Sequence, residues 1–168
     1  MESRVQGAIA GRRSATGSGG KDLTSPLMVK TSRFGEIEVD ADRIIAMTSP
    51  ILGFSESRRF FLRPHHGPES PFLWLQSVEN PALAFVVVPA NLVDPGYRPE
   101  ISPGDRQELE VEPGRDPELM VILTMYREAE QPRITANLLA PLALNVEKRL
   151  AKQILLDPAE YDIASPLE

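Results

Sequence analysis

The chain reads PFLWLQSVENPALAFVVVP from Pro71 to Pro89, and this segment predicts two strands joined by a turn. It holds the only tryptophan of the protein, Trp74. Successive side chains of a strand point to opposite faces. Trp74 and Gln76 therefore share one face of the first strand, while Leu73 and Leu75 share the other.

The second half of this segment, residues 83 to 88, is apolar on both faces, which predicts a strand that is covered on both sides. We expect Trp74, Phe85 and Val87 in the core, because aromatic and β-branched side chains suit half-buried and buried strands. Between the halves, Glu79-Asn80-Pro81 has the composition of a turn, since Asn tolerates a left-handed backbone and Pro restricts φ.

Short apolar or alternating segments recur outward from this hairpin, separated by Gly and Pro. In residues 34 to 40, Ile37 and Val39 alternate with acidic residues, which predicts a half-buried strand with residues 43 to 47 as its partner. Residues 105 to 110 suit a short helix. Further strands are predicted at 58–62, 119–126, 135–140, 142–146 and 150–156. The pattern predicts an all-β, antiparallel barrel-like or sandwich domain with one or two short helices.

Composition divides the chain into three parts. Residues 1–27 are rich in Gly, Ser, Ala and Arg without periodicity, which predicts a disordered extension. Residues 28–163 form the predicted β-barrel-like domain, and residues 164–168 a C-terminal tail.

Charge is unevenly distributed. Residues 1–33 carry six Lys or Arg against two Asp or Glu, whereas residues 34–168 carry twelve against twenty-two. A domain with a net charge of −10 disfavours direct binding to nucleic acid, which needs Lys and Arg at the phosphates. It favours a basic partner and speeds the encounter with it.

The chain has no cysteine, which excludes disulfides and thiolate metal sites. His65 and His66 are adjacent in a proline-rich loop and would point apart, so we predict no metal site and no cofactor. No apolar run approaches the length of a membrane helix, and no signal peptide is evident. We therefore expect a cytoplasmic protein with no membrane contact.

Several segments together resemble the flagellar assembly factor family, FliW. They are TSRFGEIEVD (31–40), ILGF (51–54), FLWLQSVENP (72–81), LAFVV (83–87), ITANLLAP (134–141) with Asn145, and KQIL (152–155). The resemblance covers about residues 29 to 163, in family order. One departure is Leu52, where the family usually has proline.

The resemblance implies a small β-barrel-like adaptor without enzymatic activity. Members of this family bind the carbon storage regulator, a basic RNA-binding dimer that represses translation of flagellin messenger RNA. They also bind flagellin, which takes the adaptor away and releases the regulator. Inhibition of the regulator is thought to be allosteric. From this resemblance we expect a monomer that binds these two partners alternately.

Two other readings remain open. The protein could be a flagellin-binding chaperone that no longer engages the regulator. It could also be a small-molecule-binding or hydrolytic β-barrel, which would need a deep cavity with converging polar groups.

The candidate partner-binding residues are polar positions on strands and turns. They are Gln76, Ser77, Glu79 and Asn80 at the predicted turn, Asn137 within ITANLLAP, and Glu36 and Glu38 on the 34–40 strand. A strand end and tight turn expose polar groups on a rigid support. The alternatives are that the turn residues only form the turn, that Asn137 ties loops together, and that the glutamates are a solvated strand face.

Overall fold

The computed structural model of the chain describes residues 26–127 and 130–167. Within these ranges the strands are β1 (Leu27–Thr31), β2 (Gly35–Val39), β3 (Ile45–Met47), β4 (Arg59–Pro64), β5 (Leu73–Ser77), β6 (Ala84–Pro89), β7 (Glu118–Tyr126), β8 (Arg133–Ala136), β9 (Leu142–Asn145), β10 (Leu150–Gln153) and β11 (Ser165–Pro166). The helices are α1 (Ala90–Val93) and α2 (Pro103–Glu108), and a 3-10 turn lies at Ala41–Arg43. The predicted all-β class is confirmed. None of the helices described is long and apolar enough to cross a membrane.

Seven of the strands close into a barrel. Strands β3 to β7 follow one another in chain order, each pairing antiparallel with the next. The first part of β7 also pairs with β9, and β9 pairs with β10. A short parallel pairing between β10 and β3 completes the circle. Closure removes the exposed strand edges that an open sheet would present.

The barrel interior is filled by apolar side chains from every barrel strand. Phe60 on β4 and Val87 on β6 are fully buried there. Phe85 is half-buried, packs against this interior cluster and meets the ring of Phe54 edge-on at 5.1 Å between centroids. Close packing of this kind leaves the middle of the barrel to side chains rather than to a ligand.

Trp74 does not lie in this core, which corrects the prediction made for it. Leu73 and Leu75 point into the barrel, so the alternation of β5 places Trp74 on the outside. There it is half-buried and meets Phe34 edge-on at 6.3 Å between ring centroids. The predicted alternation of β5 is correct, but the strand period does not say which face is the interior.

Strands β1 and β2 form a separate two-stranded hairpin, which we call the ribbon, against the outside of the barrel. Val29 and Val39 on its inner face pack on Phe61 of β4, and all three are buried. The prediction that residues 43–47 pair with β2 is wrong, because the 3-10 turn after β2 redirects the chain. β3 joins β4 and β10 instead. The ribbon covers the middle of the outer face of β4, so Phe61 is buried there although Arg59 and Arg63 on the same face are exposed.

The C-terminal end of the domain differs from the prediction. The predicted C-terminal tail contains β11, which pairs with β8, and the Leu167 amide donates to the Ile134 carbonyl at 3.0 Å. At the other terminus, β1 begins at Leu27. The predicted disordered extension otherwise lies almost entirely outside the described residues.

Helix α2 is held to the barrel by charge. Ser102 caps its N-terminus by accepting a hydrogen bond from the Asp105 amide at 3.1 Å. The Lys152 ammonium group on β10 forms ion pairs with the Asp105 carboxylate, at 2.9 Å, and with the Glu108 carboxylate. Hydrogen bonds from Lys152 hold the pKa values of both carboxyl groups below their usual range.

We expect the Lys152→Gln variant to be less stable than the native protein near neutral pH and equally stable in acid. A carboxyl with a depressed folded pKa contributes stability above its unfolded pKa, and this contribution is lost as pH falls through the folded pKa. The difference between the two proteins should therefore begin to shrink as pH falls below about 4, near the unfolded pKa values, and should vanish only below the lowered folded pKa values. Urea unfolding at neutral and acid pH measures it, with exposed Lys148→Gln as the control. An equal difference at both pH values would contradict the ion-pair account.

Candidate interaction surface

The turn between β5 and β6 is organised by two buried polar side chains, Gln76 and Ser77, both 0% exposed. The Gln76 side-chain amide donates to the carbonyls of Ser77 and Leu83, at 3.0 and 3.1 Å. The Ser77 hydroxyl accepts from the Asn80 amide at 3.0 Å and lies 3.1 Å from the Ser57 hydroxyl. The expectation that Gln76 and Ser77 are exposed turn residues is therefore wrong, and their part in partner binding stays a prediction. Their hydrogen bonds shape the turn from inside.

Glu79 and Asn80 lie exposed at the tip of the same turn. The Glu79 carboxylate accepts from the backbone amide and the guanidinium of Arg59, at 3.1 and 3.2 Å. The Asn80 side-chain oxygen accepts from the Ala82 amide at 3.0 Å. Both side chains thus stabilise the turn and remain accessible to solvent.

The outer face of the ribbon carries Glu36 and Glu38, both exposed. Across the hairpin, Glu36 stands opposite Lys30, and Glu38 opposite the exposed Met28. The Ser32 amide at the tip of the ribbon donates to the Pro81 carbonyl at 2.9 Å. This bond joins the ribbon to the β5–β6 turn. We call the resulting face the ribbon surface: Met28, Lys30, Glu36 and Glu38 with Glu79 and Asn80 of the adjoining turn.

Asn137 lies elsewhere, after β8. Its backbone amide donates to the Ile122 carbonyl at 2.9 Å, and its side-chain oxygen accepts from the Ala140 amide at 3.0 Å. The side chain is half-buried. These bonds hold the short turn that leads from β8 into β9, so Asn137 is not part of the ribbon surface.

Sequence reasoning missed a cluster of cations on aromatic rings beside the tip of the ribbon. The Arg33 guanidinium lies 4.0 Å from the centroid of the Trp74 ring, and the His65 ring stacks on Trp74 at 4.6 Å. The Arg63 guanidinium lies 4.6 Å from the centroid of the Phe34 ring. Burial, followed by the charges of His66 and Arg33, lowers the pKa of His65. A signal for this cluster was present, since Arg63 and Trp74 fall on outward positions of adjacent strands.

The small-molecule alternative would need a deep cavity on another surface. An open cleft of about 780 Å³ lies near the start of β3 and the end of β9. Its charged side chains have both signs, and two of its residues, Glu110 and Arg149, adopt a left-handed backbone with φ of 55° and 54°. Within residues 26–127 and 130–167, no three His, Cys, Asp or Glu side chains are grouped as metal ligands would be. Nothing in the cleft singles out a catalytic group.

Comparisons with known proteins agree with one another. A family model described as FliW protein matches residues 28–167. The flagellar assembly factor FliW of Geobacter sulfurreducens is 42% identical over 139 residues, which cover 82% of this chain and 84% of that protein. The flagellar assembly factor FliW of Syntrophus aciditrophicus is 38% identical over 82% of this chain and 87% of its own length. A crystal structure of the flagellar assembly factor FliW superposes with a TM-score of 0.73 and 33% identity, covering 84% of this chain and 97% of that chain.

Proposed function

Because this chain belongs to the FliW family of flagellar assembly factors, we propose that it is a non-enzymatic cytoplasmic adaptor with two alternating protein partners. One partner is the carbon storage regulator, a basic RNA-binding dimer that represses translation of flagellin messenger RNA. The other is flagellin. When flagellin is scarce the adaptor sequesters the regulator, and free flagellin takes the adaptor away.

The observation that carries this proposal is the acidic ribbon surface on a net acidic domain. Glu36 and Glu38 project from a hairpin whose inner face is anchored on the buried Phe61. Glu79 adds a third carboxylate, partly neutralised by Arg59. Residues 34–168 as a whole carry ten more acidic than basic side chains. Such a surface attracts a basic dimer from a distance and orients it at the encounter.

The proposed exchange of the regulator for flagellin requires a ribbon surface that is held rigidly. The ribbon is fixed to the barrel by buried apolar contacts and to the β5–β6 turn by the bond between Ser32 and Pro81. A preformed surface loses little conformational entropy on binding. It can therefore exchange one partner for another without refolding. We expect the protein to be a monomer before it meets either partner.

The deciding experiment is a calorimetric titration of the protein with the carbon storage regulator of the same organism, at two salt concentrations. We expect binding that weakens as salt rises, because exposed charges are screened beyond about one Debye length, which is ~10 Å at 0.1 M salt. The double variant Glu36→Lys with Glu38→Lys should weaken binding by about tenfold or more at low salt, because four units of charge change where the basic partner docks.

The matched control is the double variant Glu100→Lys with Glu160→Lys, which makes the same charge change at exposed positions on other loops. It should alter binding much less than the ribbon variant. Equal losses in both variants would assign the effect to net charge and overturn the role of the ribbon surface. Absence of binding at high micromolar protein would remove the regulator from the proposal and favour a flagellin chaperone.

A further inference from the structure

The cations beside the tip of the ribbon form a second charged surface, opposite in sign to the first. We call it the arginine–aromatic patch: Arg33, Phe34, Arg63, His65 and Trp74. The rings of Phe34 and Trp74 meet edge-on, and each carries one guanidinium group. Arg63 on β4 stands directly opposite Trp74 on β5. Two arginines are thus held on two aromatic rings that contact each other.

Neither of these two arginines forms an ion pair in the part of the chain that the structure describes. The ion pairs found there use Arg59, Arg106, Arg115 and Lys152, but neither Arg33 nor Arg63. Both side chains are exposed. Unpaired guanidinium groups concentrated at one place are unexpected on a domain with a strong acidic excess.

The aromatic base prepares the two guanidinium groups for binding. A guanidinium that lies on a ring loses part of its rotamer freedom before any ligand arrives, while its planar edge still presents N–H donors. Such donors match the two oxygens of a carboxylate and bind it through paired hydrogen bonds. The His65 Nδ1 atom, buried and without a hydrogen-bond partner among the described residues, adds a further polar atom beside them.

The same geometry disfavours a nucleic acid ligand. Single-stranded RNA gains much of its affinity by stacking bases on accessible aromatic rings. Here the ring faces are already occupied, because Arg33 and His65 stack on Trp74, and Arg63 stacks on Phe34. The acidic excess of the domain would also repel a long phosphate backbone. A short cluster of carboxylates suits two neighbouring arginines better.

We propose that the arginine–aromatic patch binds an acidic segment of a partner protein. It is a second interaction surface, separate from the acidic ribbon surface and of opposite charge. The proposal does not depend on which proteins bind the ribbon surface. It assigns Arg33 and Arg63 as the ligand-binding groups and Phe34 and Trp74 as the rings that position them.

The test uses a fluorescein-labelled hexaglutamate peptide as the probe, with fluorescence anisotropy as the readout. We expect saturable binding that weakens with salt, and at least about a tenfold loss of affinity in the double variant Arg33→Gln with Arg63→Gln. Because Trp74 is the only tryptophan and lies in the patch, unlabelled peptide should also change the intrinsic fluorescence of the native protein.

The matched control is Arg133→Gln. Arg133 is also an exposed arginine on an aromatic ring, 4.8 Å from the centroid of Tyr126, but it lies on β8 outside the patch. This variant should bind the peptide as the native protein does. Failure to saturate at millimolar peptide, or equal affinity in the native protein and the Arg33/Arg63 double variant, overturns the proposal. Tighter binding of a labelled oligouridylate that depends on the same two arginines overturns it in favour of RNA.

Discussion

Replacing Phe61 by alanine is expected to release the ribbon from the barrel while the barrel stays folded. Phe61 is 1% exposed and is the barrel side chain on which Val29 and Val39 pack. Loss of a buried phenylalanine costs about 3–5 kcal/mol. An isolated two-stranded hairpin is marginal in water, so it cannot hold its structure once this contact is lost. Backbone amides of residues 27–39 should then exchange with solvent about a hundredfold faster or more.

The neighbouring residue provides a control with the same chemistry. Phe60 is also fully buried, but its side chain lies in the barrel interior. Phe60→Ala should lower the free energy of unfolding of the whole domain by a similar amount, about 3–5 kcal/mol. In Phe60→Ala the rate of backbone amide exchange should rise over all barrel strands rather than in the ribbon alone. If the two variants gave the same exchange pattern, the ribbon and the barrel would be one cooperative unit, contrary to the packing described.

The Phe61→Ala variant should also disrupt both surfaces, because each combines ribbon residues with residues of the barrel. Glu36 and Glu38 lie on the ribbon, and Arg33 and Phe34 lie at its tip. Both binding surfaces depend on a docked ribbon. We therefore expect this variant to lose affinity for the basic regulator and for the acidic peptide together, although it changes no charged residue.

The second large effect is expected for Gln76→Glu, which has nearly the same shape as the native side chain. The side-chain amide nitrogen of Gln76 faces the carbonyls of Ser77 and Leu83 at 3.0 and 3.1 Å. A carboxylate at this position would place a buried negative charge against carbonyl oxygens. Burying an uncompensated charge costs about 3–5 kcal/mol. Urea unfolding at neutral pH should show this loss.

The loss should depend on pH in a defined direction. Burial raises the pKa of the introduced carboxyl above its unfolded value of about 4.3. The unfolded state then gives up its proton first, so the destabilisation grows as pH rises above about 4.3. It levels off once the folded carboxyl also ionises. Gln107→Glu, at an exposed position of α2, should change stability by less than about 0.5 kcal/mol. A pH-independent loss in Gln76→Glu would show that packing rather than charge is responsible.

The fold class and most strand positions followed from the sequence alone, whereas β1 and β11 were not predicted. The hairpin of β5 and β6, the apolar strand β7 and the short helix α2 all lie within a few residues of the predicted segments. Local spacing suffices here, because alternation, turn residues and proline act over a few residues along the chain. The exposed positions of Glu36 and Glu38 follow from the same alternation.

Tertiary structure decided which polar residues are accessible and which strands are neighbours. Gln76 and Ser77 look like exposed turn residues in the sequence, yet both are buried, because the turn folds back and brings carbonyl groups to them. Trp74 lies outside the barrel, because strand period separates two faces without saying which is interior. Pairings between distant segments, such as β10 with β3 and β11 with β8, depend on the fold of the whole chain, and the first of them closes the barrel. Closure is a property of the whole chain, and no local pattern records it.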